Sequence, residues 1–202
     1  ITIPESLELI GFRAFGACTS LDNVTILSTP ASSLLIGVQA FNLCSNLTNI
    51  TIPGSVTQIS DGAFTRCTGL TSVVIEDNVT SIGWYAFNEC SSLTSIIIPD
   101  SVTEIGDEAF KQCSSLASII IPNGVTTIGN YTFSACYNLT DIIIPNGVIS
   151  IGKEAFSSCT GLNSITIPDS VTSIDKSAFW DCSSYDKHND SERCHDHFGK
   201  CF

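Results

Sequence analysis

Apolar residues return on a fixed step through nearly the whole chain. The run Ile98–Ile120 reads IPDSVTEIGDEAFKQCSSLASII; before it stands IEDNVTSIGWYAFNECSSLTSII and after it IPNGVTTIGNYTFSACYNLTDII. The step is 23 residues, and a fixed period of about 20–50 residues is the mark of a solenoid. Eight copies align on two columns. One is Phe15, Phe41, Phe64, Phe87, Phe110, Phe133, Phe156 and Phe179; the other is Cys18, Cys44, Cys67, Cys90, Cys113, Cys136, Cys159 and Cys182. From Cys44 onward every step is 23 residues, but Cys18 to Cys44 is 26. The three extra residues fall in ILSTPASSLL (Ile26–Leu35), which predicts an insertion loop over 27–35 on the second coil.

Each copy divides into predicted elements. Leu116-x-x-Ile119-x-Ile121 ends in apolar–polar alternation, the pattern of a short strand. Pro122-Asn123-Gly124 is a turn, because Pro fixes φ and Asn and Gly tolerate tight bends. Val125-x-x-Ile128-Gly129 is a second short extended piece. The run from Tyr131 to Cys136 predicts one or two turns of helix or 3₁₀. In the copy Ile98–Ile120 the expected inward set is Ile98, Val102, Ile105, Ala109, Phe110, Cys113, Leu116 and Ile119. One such coil cannot bury enough apolar surface to offset the entropy of ordering it, so neighbouring coils must stack.

The longer pattern Ile-Pro-x-Ser-Val-Thr-x-Ile-Gly-x-x-Ala-Phe-x-x-Cys-x-x-Leu-x-x-Ile resembles the 23-residue BspA-like, or Treponema pallidum-type, leucine-rich repeat. The resemblance covers 1–182 and implies a leucine-rich-repeat solenoid. Such a fold is a right-handed coil of short parallel β-strands with short helical or 3₁₀ turns, here in eight 23-residue repeats. Members are typically surface-exposed or secreted and are associated with adhesion and protein binding. The resemblance brings no catalytic residues and no cofactor. It implies an extracellular or cell-surface location and a protein or glycoprotein ligand held on the concave sheet. It stops before 183–202, an irregular Cys/His-containing tail that reads as a cap on the last coil or as disordered.

Composition narrows the function classes. The chain has 202 residues, 43% hydrophobic, with the apolar residues spread evenly. The lack of a continuous apolar run of about 18 residues predicts no membrane-spanning helix and no direct membrane insertion. Twenty acids against 8 bases give a net charge of −12; such a surface repels phosphate, which argues against nucleic acid and anionic membranes as partners. The chain contains no Met and begins inside a repeat, so it is expected to be a piece of a larger or processed protein.

Candidate chemistry is sparse. The region 1–182 holds no His, and its bases are only Arg13, Arg66, Lys111, Lys153 and Lys176, so a His-based triad cannot form within it. No glycine-rich phosphate loop is present, and an enzyme is not expected. The Cys column reads as reduced, buried structural thiols, with inter-coil disulfides as the alternative. The acids Glu76, Asp77, Asp100, Glu104, Asp107 and Glu108 occupy different columns and read as a solvated edge. The row Thr57, Thr80, Thr103, Thr126 and Thr172, broken by Ile149, is a single Thr file rather than a regular ice-binding array. Sequons begin at Asn23, Asn46, Asn49, Asn78, Asn130, Asn138 and Asn189.

Two regions carry site expectations. Outward strand positions form a candidate protein-binding face: Thr51, Val74, Ser95, Ile97, Ser118, Ile120, Asp141, Ile143 and Thr166. Four successive coils place Val74, Ile97, Ile120 and Ile143 in mid-strand, and a contiguous exposed apolar strip marks a partner site. The competing reading is a β-branched ladder that merely suits strands, as in a stalk or spacer. In the tail, Cys194, His195, His197 and Cys201 are weak zinc candidates, and a Cys194–Cys201 disulfide or disorder fits the same residues.

Overall fold

A computed structural model describes residues 1–29 and 33–182. The chain is a β-solenoid of about seven turns of parallel strands, stepping some 23 residues per turn. Among the described residues fifteen strands run in order: β1 (Thr2–Ile3), β2 (Leu9–Ile10), β3 (Thr25–Ile26), β4 (Leu35–Ile36), β5 (Asn49–Ile52), β6 (Gln58–Ile59), β7 (Ser72–Ile75), β8 (Ser81–Ile82), β9 (Ser95–Ile97), β10 (Glu104–Ile105), β11 (Ser118–Ile120), β12 (Thr127–Ile128), β13 (Asp141–Ile143), β14 (Ser150–Ile151) and β15 (Ser173–Ile174). Odd strands through β13 make one wall of the coil; even strands through β14, followed by β15, make the other.

Register follows the repeat. Thr51 pairs Val74 and Val74 pairs Ile97; Ile120 pairs Ile143. The ladders are not continuous. The first wall divides into β1-β3, β5-β7-β9 and β11-β13, and the second into β2-β4-β6-β8-β10 and β12-β14-β15. Both walls are therefore interrupted around the copy Ile98–Ile120: between β9 and β11 on one side, between β10 and β12 on the other.

The third edge, from the Gly to the Cys of each copy, departs from the sequence expectation. Among the described residues there is no α- or 3₁₀-helix here, but a series of linked turns. The reason lies in two left-handed residues per copy, four apart. They are Glu108 (φ 58) and Gln112 (φ 60) in one coil, Tyr131 (φ 55) and Ala135 (φ 59) in the next. A helix needs a run of right-handed residues, and these break it. They also turn successive N–H groups alternately within and between coils. Ala109 and Lys111 donate back to Gly106 and Glu108 in their own coil, while Glu108, Phe110 and Gln112 donate to Asn130, Thr132 and Ser134 of the next. Non-glycine residues resist this conformation by roughly 1–2 kcal/mol each; from Arg13 to Ser158 each of these paired positions donates its N–H to the next coil.

The core is a stack of columns. Phe41, Phe64, Phe87, Phe110, Phe133 and Phe156 are fully buried. Neighbouring rings lie nearly parallel, from 5.1 Å apart at Phe15–Phe41 to 5.6 Å at Phe87–Phe110 and Phe110–Phe133. Such pairs add about 0.5–1.5 kcal/mol each beyond area burial. Of the inward set in Ile98–Ile120, Ile98 is only partly buried and the other seven are buried.

The cysteines have a role beyond filling space. Each thiol from Cys44 to Cys182 donates to the Phe carbonyl one coil earlier. Cys113 Sγ reaches Phe87 O at 3.2 Å and Cys182 Sγ reaches Phe156 O at 2.9 Å. All eight are free; Cys18 is exposed and the other seven are buried. Burial pushes their thiols up, Cys44 to about 11 and Cys90, Cys136 and Cys182 to about 12. Among the described residues no helix is long and apolar enough to cross a membrane.

Candidate functional site

The first wall carries the sequence-derived face. Alternation along each short strand sends Ile50, Val73, Ile96, Ile119 and Ile142 inward and leaves the residue after each pointing out. Thr51, Val74, Ser95, Ile97, Ser118, Ile120, Asp141 and Ile143 are all exposed and lie in β5, β7, β9, β11 and β13. Ile97, Ile120 and Ile143 are 62%, 74% and 72% exposed, well above what their apolar side chains favour. Ladder pairing sets Val74 beside Ile97 and Ile120 beside Ile143, and the 23-residue step carries the file across the break between β9 and β11. Thr166 is exposed but belongs to no strand, since the run 164–166 of the last coil is irregular and Ile165 and Ile167 are only partly buried.

Threonine hydroxyls border this file and are already engaged. Thr71 Oγ1 donates to Thr48 O at 2.9 Å and Thr94 Oγ1 to Thr71 O at 3.0 Å. On the second wall Thr80 Oγ1 donates to Thr57 O at 3.1 Å, and Thr103 and Thr172 repeat the bond one coil back. The Thr file thus reinforces coil-to-coil bonding, a structural use that explains its regularity. Cys194, His195, His197 and Cys201 lie outside the described residues.

Residue variety lies elsewhere, on the turn edge. All five bases of 1–182 stand there, Arg66 just before the Cys of its copy and Arg13, Lys111, Lys153 and Lys176 near the Phe of theirs, as do the exposed Trp84 and Trp180. Its groups are knitted across coils. Arg66 grips Glu89 with two bonds of 3.0 and 3.1 Å. Lys111 Nζ bonds Glu108 at 2.7 Å, and Lys111 and Lys153 flank the Tyr131 ring at 4.9 and 5.3 Å from its centre. Asp107 accepts from the Asn130 backbone and side chain at 2.8 and 2.9 Å. The bond from Tyr85 to Glu108 raises the phenol above its ordinary 10.0.

Two open depressions lie on this edge. One, about 320 Å³, runs between Trp84–Tyr85 and Tyr131 over Asp107 and Glu108. The other, about 430 Å³, lies over Gly62, between Gln39 and Tyr85. Sequence reading aimed at the strands missed both. The signal was in the alignment of copies. The first left-handed position reads Arg13, Gln39, Gly62, Tyr85, Glu108, Tyr131, Glu154, Ser177, and only Gly62 has no side chain.

Comparison with known proteins agrees with this architecture. The family model for the BspA type leucine rich repeat region matches in 6 copies over residues 1–116 and 57–186. The chain is similar in structure to a leucine rich repeat protein of T. pallidum, at 31% identity over 81% of this chain and 78% of that one, with a TM-score of 0.74. It is also similar to a leucine rich cell surface protein from Faecalibacterium prausnitzii, at 30% identity over 90% of this chain and 70% of that one, TM-score 0.49. The pneumococcal vaccine antigen PcpA shares the fold at 21% identity over 90% of this chain and 54% of its own, TM-score 0.57. No curated protein matches the chain in sequence. A family model that matches residues 1–116 and 57–186, and so spans the solenoid, places this chain in the BspA type leucine-rich-repeat family.

Proposed function

We propose that this solenoid is a non-enzymatic binding module of a surface or secreted protein, which holds a protein or glycoprotein partner on its first wall. As a leucine-rich-repeat chain it belongs to a class of protein-interaction modules. The observation that carries the finer reading is the file Val74, Ile97, Ile120 and Ile143, aliphatic and exposed on four consecutive coils. Covering one large aliphatic side chain contributes about 1.5–3 kcal/mol. The flanking Ser and Thr form a polar rim around the file. The surface location rests on the family to which the repeat assigns the chain.

A spacer or stalk is the second reading, favoured by the uniformity of the same wall, where Ser72, Ser95 and Ser118 repeat one residue type. Photo-crosslinkers placed at Ser95 and at Ser118, on purified protein over intact cells, separate the two. The binding reading expects one partner crosslinked from both positions, lost in Ile97→Asp/Ile120→Asp with the far-ultraviolet spectrum unchanged. Crosslinking that survives that double substitution sinks it.

A further inference from the structure

We propose that the notch over Gly62 on the turn edge binds a neutral pyranose ring, as a glycan site separate from the strand face. Its origin is local. In seven of eight copies a side chain projects from the first left-handed position; at Gly62 (φ 61) the column is empty. The gap opens a notch of about 430 Å³, within the range of about 300–1,000 Å³ for small-molecule sites.

Its walls are unlike in chemistry. Tyr85 stands on one side, 43% exposed, and offers an aromatic surface to the notch. An aromatic face is the negative side of its quadrupole and receives the weakly positive C–H face of a sugar ring. Opposite stands Gln39, whose side-chain oxygen accepts from Arg13 Nε. That leaves the amide nitrogen of Gln39 as a donor over Gly62, 3.8 Å from where a Cβ would stand there.

The charges in the notch cancel, and this selects the ligand. Arg13 and Arg66 line the notch together with Asp61 and Glu89. Arg66 is locked on Glu89 through Nε and one terminal nitrogen, so its other terminal nitrogen remains as a donor. Asp61 Oδ1 accepts from the Trp84 backbone at 2.8 Å, which leaves Oδ2 as an acceptor. Donors and acceptors thus lie side by side with no net charge, in a chain whose total is −12. Sugar hydroxyls give and take hydrogen bonds at once and match such a set. An anionic ligand would meet both the local carboxylates and the field of the whole molecule. These bonds exist before any ligand arrives, so little ordering remains to be done on binding.

Saturation-transfer NMR on the full chain tests the site, with the methyl glycosides of glucose, galactose and mannose at millimolar concentration and glucuronate as the anionic comparison. Transfer to at least one neutral glycoside is expected. Gly62→Gln restores the side chain seen at Gln39 and should abolish it. Its new Cβ would lie 3.1 Å from Gln39 Cγ and 3.2 Å from Thr65 Oγ1, so those neighbours must shift by a few tenths of an ångström; the other seven copies carry a side chain at this left-handed position, and an unchanged far-ultraviolet spectrum is the check that the fold is retained. Tyr85→Ala removes the aromatic surface and should weaken binding about tenfold or more. Ile120→Asp, on the other wall, should leave binding unchanged, which separates this site from the strand-face reading. No transfer to any neutral glycoside overturns the proposal. So does transfer that persists in Gly62→Gln, transfer lost in Ile120→Asp, or stronger transfer to glucuronate.

Discussion

Raising the pH from about 7 to about 10 should unfold this solenoid, and the reason is its cysteine column. Seven thiols, from Cys44 to Cys182, are buried and donate to carbonyls. An ordinary cysteine titrates at 9.0; burial lifts Cys44 to about 11 and Cys90, Cys136 and Cys182 to about 12. It lifts Cys67, Cys113 and Cys159 further. Below 9 both the folded and unfolded chains hold these protons, and the thiols contribute no pH dependence. Above 9 the unfolded chain releases protons that the folded chain keeps, so stability falls as pH rises until the folded thiols ionise as well. One proton difference is worth about 1.4 kcal/mol per pH unit. At about pH 10 each thiol has therefore cost about 1.4 kcal/mol, and the seven together about 9–10 kcal/mol. That is as large as the whole stability of a typical domain, about 5–15 kcal/mol. Guanidinium titrations followed by circular dichroism, on protein kept reduced, measure it. The growing negative charge of the chain acts in the same direction, so the control is Cys90→Ser, which should lose about 1.4 kcal/mol less than the parent between neutral and about pH 10. A midpoint that stays level over that span, or a Cys90→Ser variant with the parent's slope, would refute the reasoning.

Two further outcomes follow from the same architecture. Alkylation of the native protein at neutral pH, mapped by peptide mass, should modify Cys18 alone among the eight solenoid cysteines, because the other seven have no solvent contact to speak of; rapid labelling of Cys113 would contradict a packed column. Gln112 sits at φ 60 on the exposed turn edge, so Gln112→Gly should stay within about 0.5 kcal/mol of the parent in thermal or chemical melts, while Gln112→Val should lose about 1–2 kcal/mol or more through its β-branched side chain. Equal stabilities for the two would show that the backbone there is not left-handed.

The columns were legible before any coordinates, because the 23-residue step carries Phe110, Cys113, Leu116 and Ile119 to the same place in each coil. The outward direction of Ile97 and Ile120 was legible too, since strand alternation is a local property. The turn edge was not. Tyr131 and Glu108 are ordinary residues for a helix, and nothing in their chemistry announces a left-handed backbone; only the cross-coil bonds of Tyr131 to Lys153 and Glu108 to Asn130 require it. The donor role of Cys113 was hidden for the same reason, since its acceptor, Phe87 O, is 26 residues away in sequence and adjacent only after stacking. Ser164–Thr166 matches the repeat as well as Ser118–Ile120 does, yet only the latter forms a strand, because ladder bonds depend on neighbours rather than on the copy itself.

The interruptions of both walls around Ile98–Ile120 give the rod a mechanical character. On the turn edge the bonds run unbroken through the same coils: Tyr85, Phe87 and Glu89 to the coil of Phe110, then Glu108, Phe110 and Gln112 to the coil of Phe133. The phenylalanine rings continue through as well, at their widest spacing on either side of Phe110. The coils are thus bound like pages along one spine. Bending that parts the strand walls breaks no ladder at this point, while bending that parts the turn edge must break three backbone bonds per coil. A load applied to the two ends would open the molecule at its middle, on the side where Ile97 and Ile120 stand.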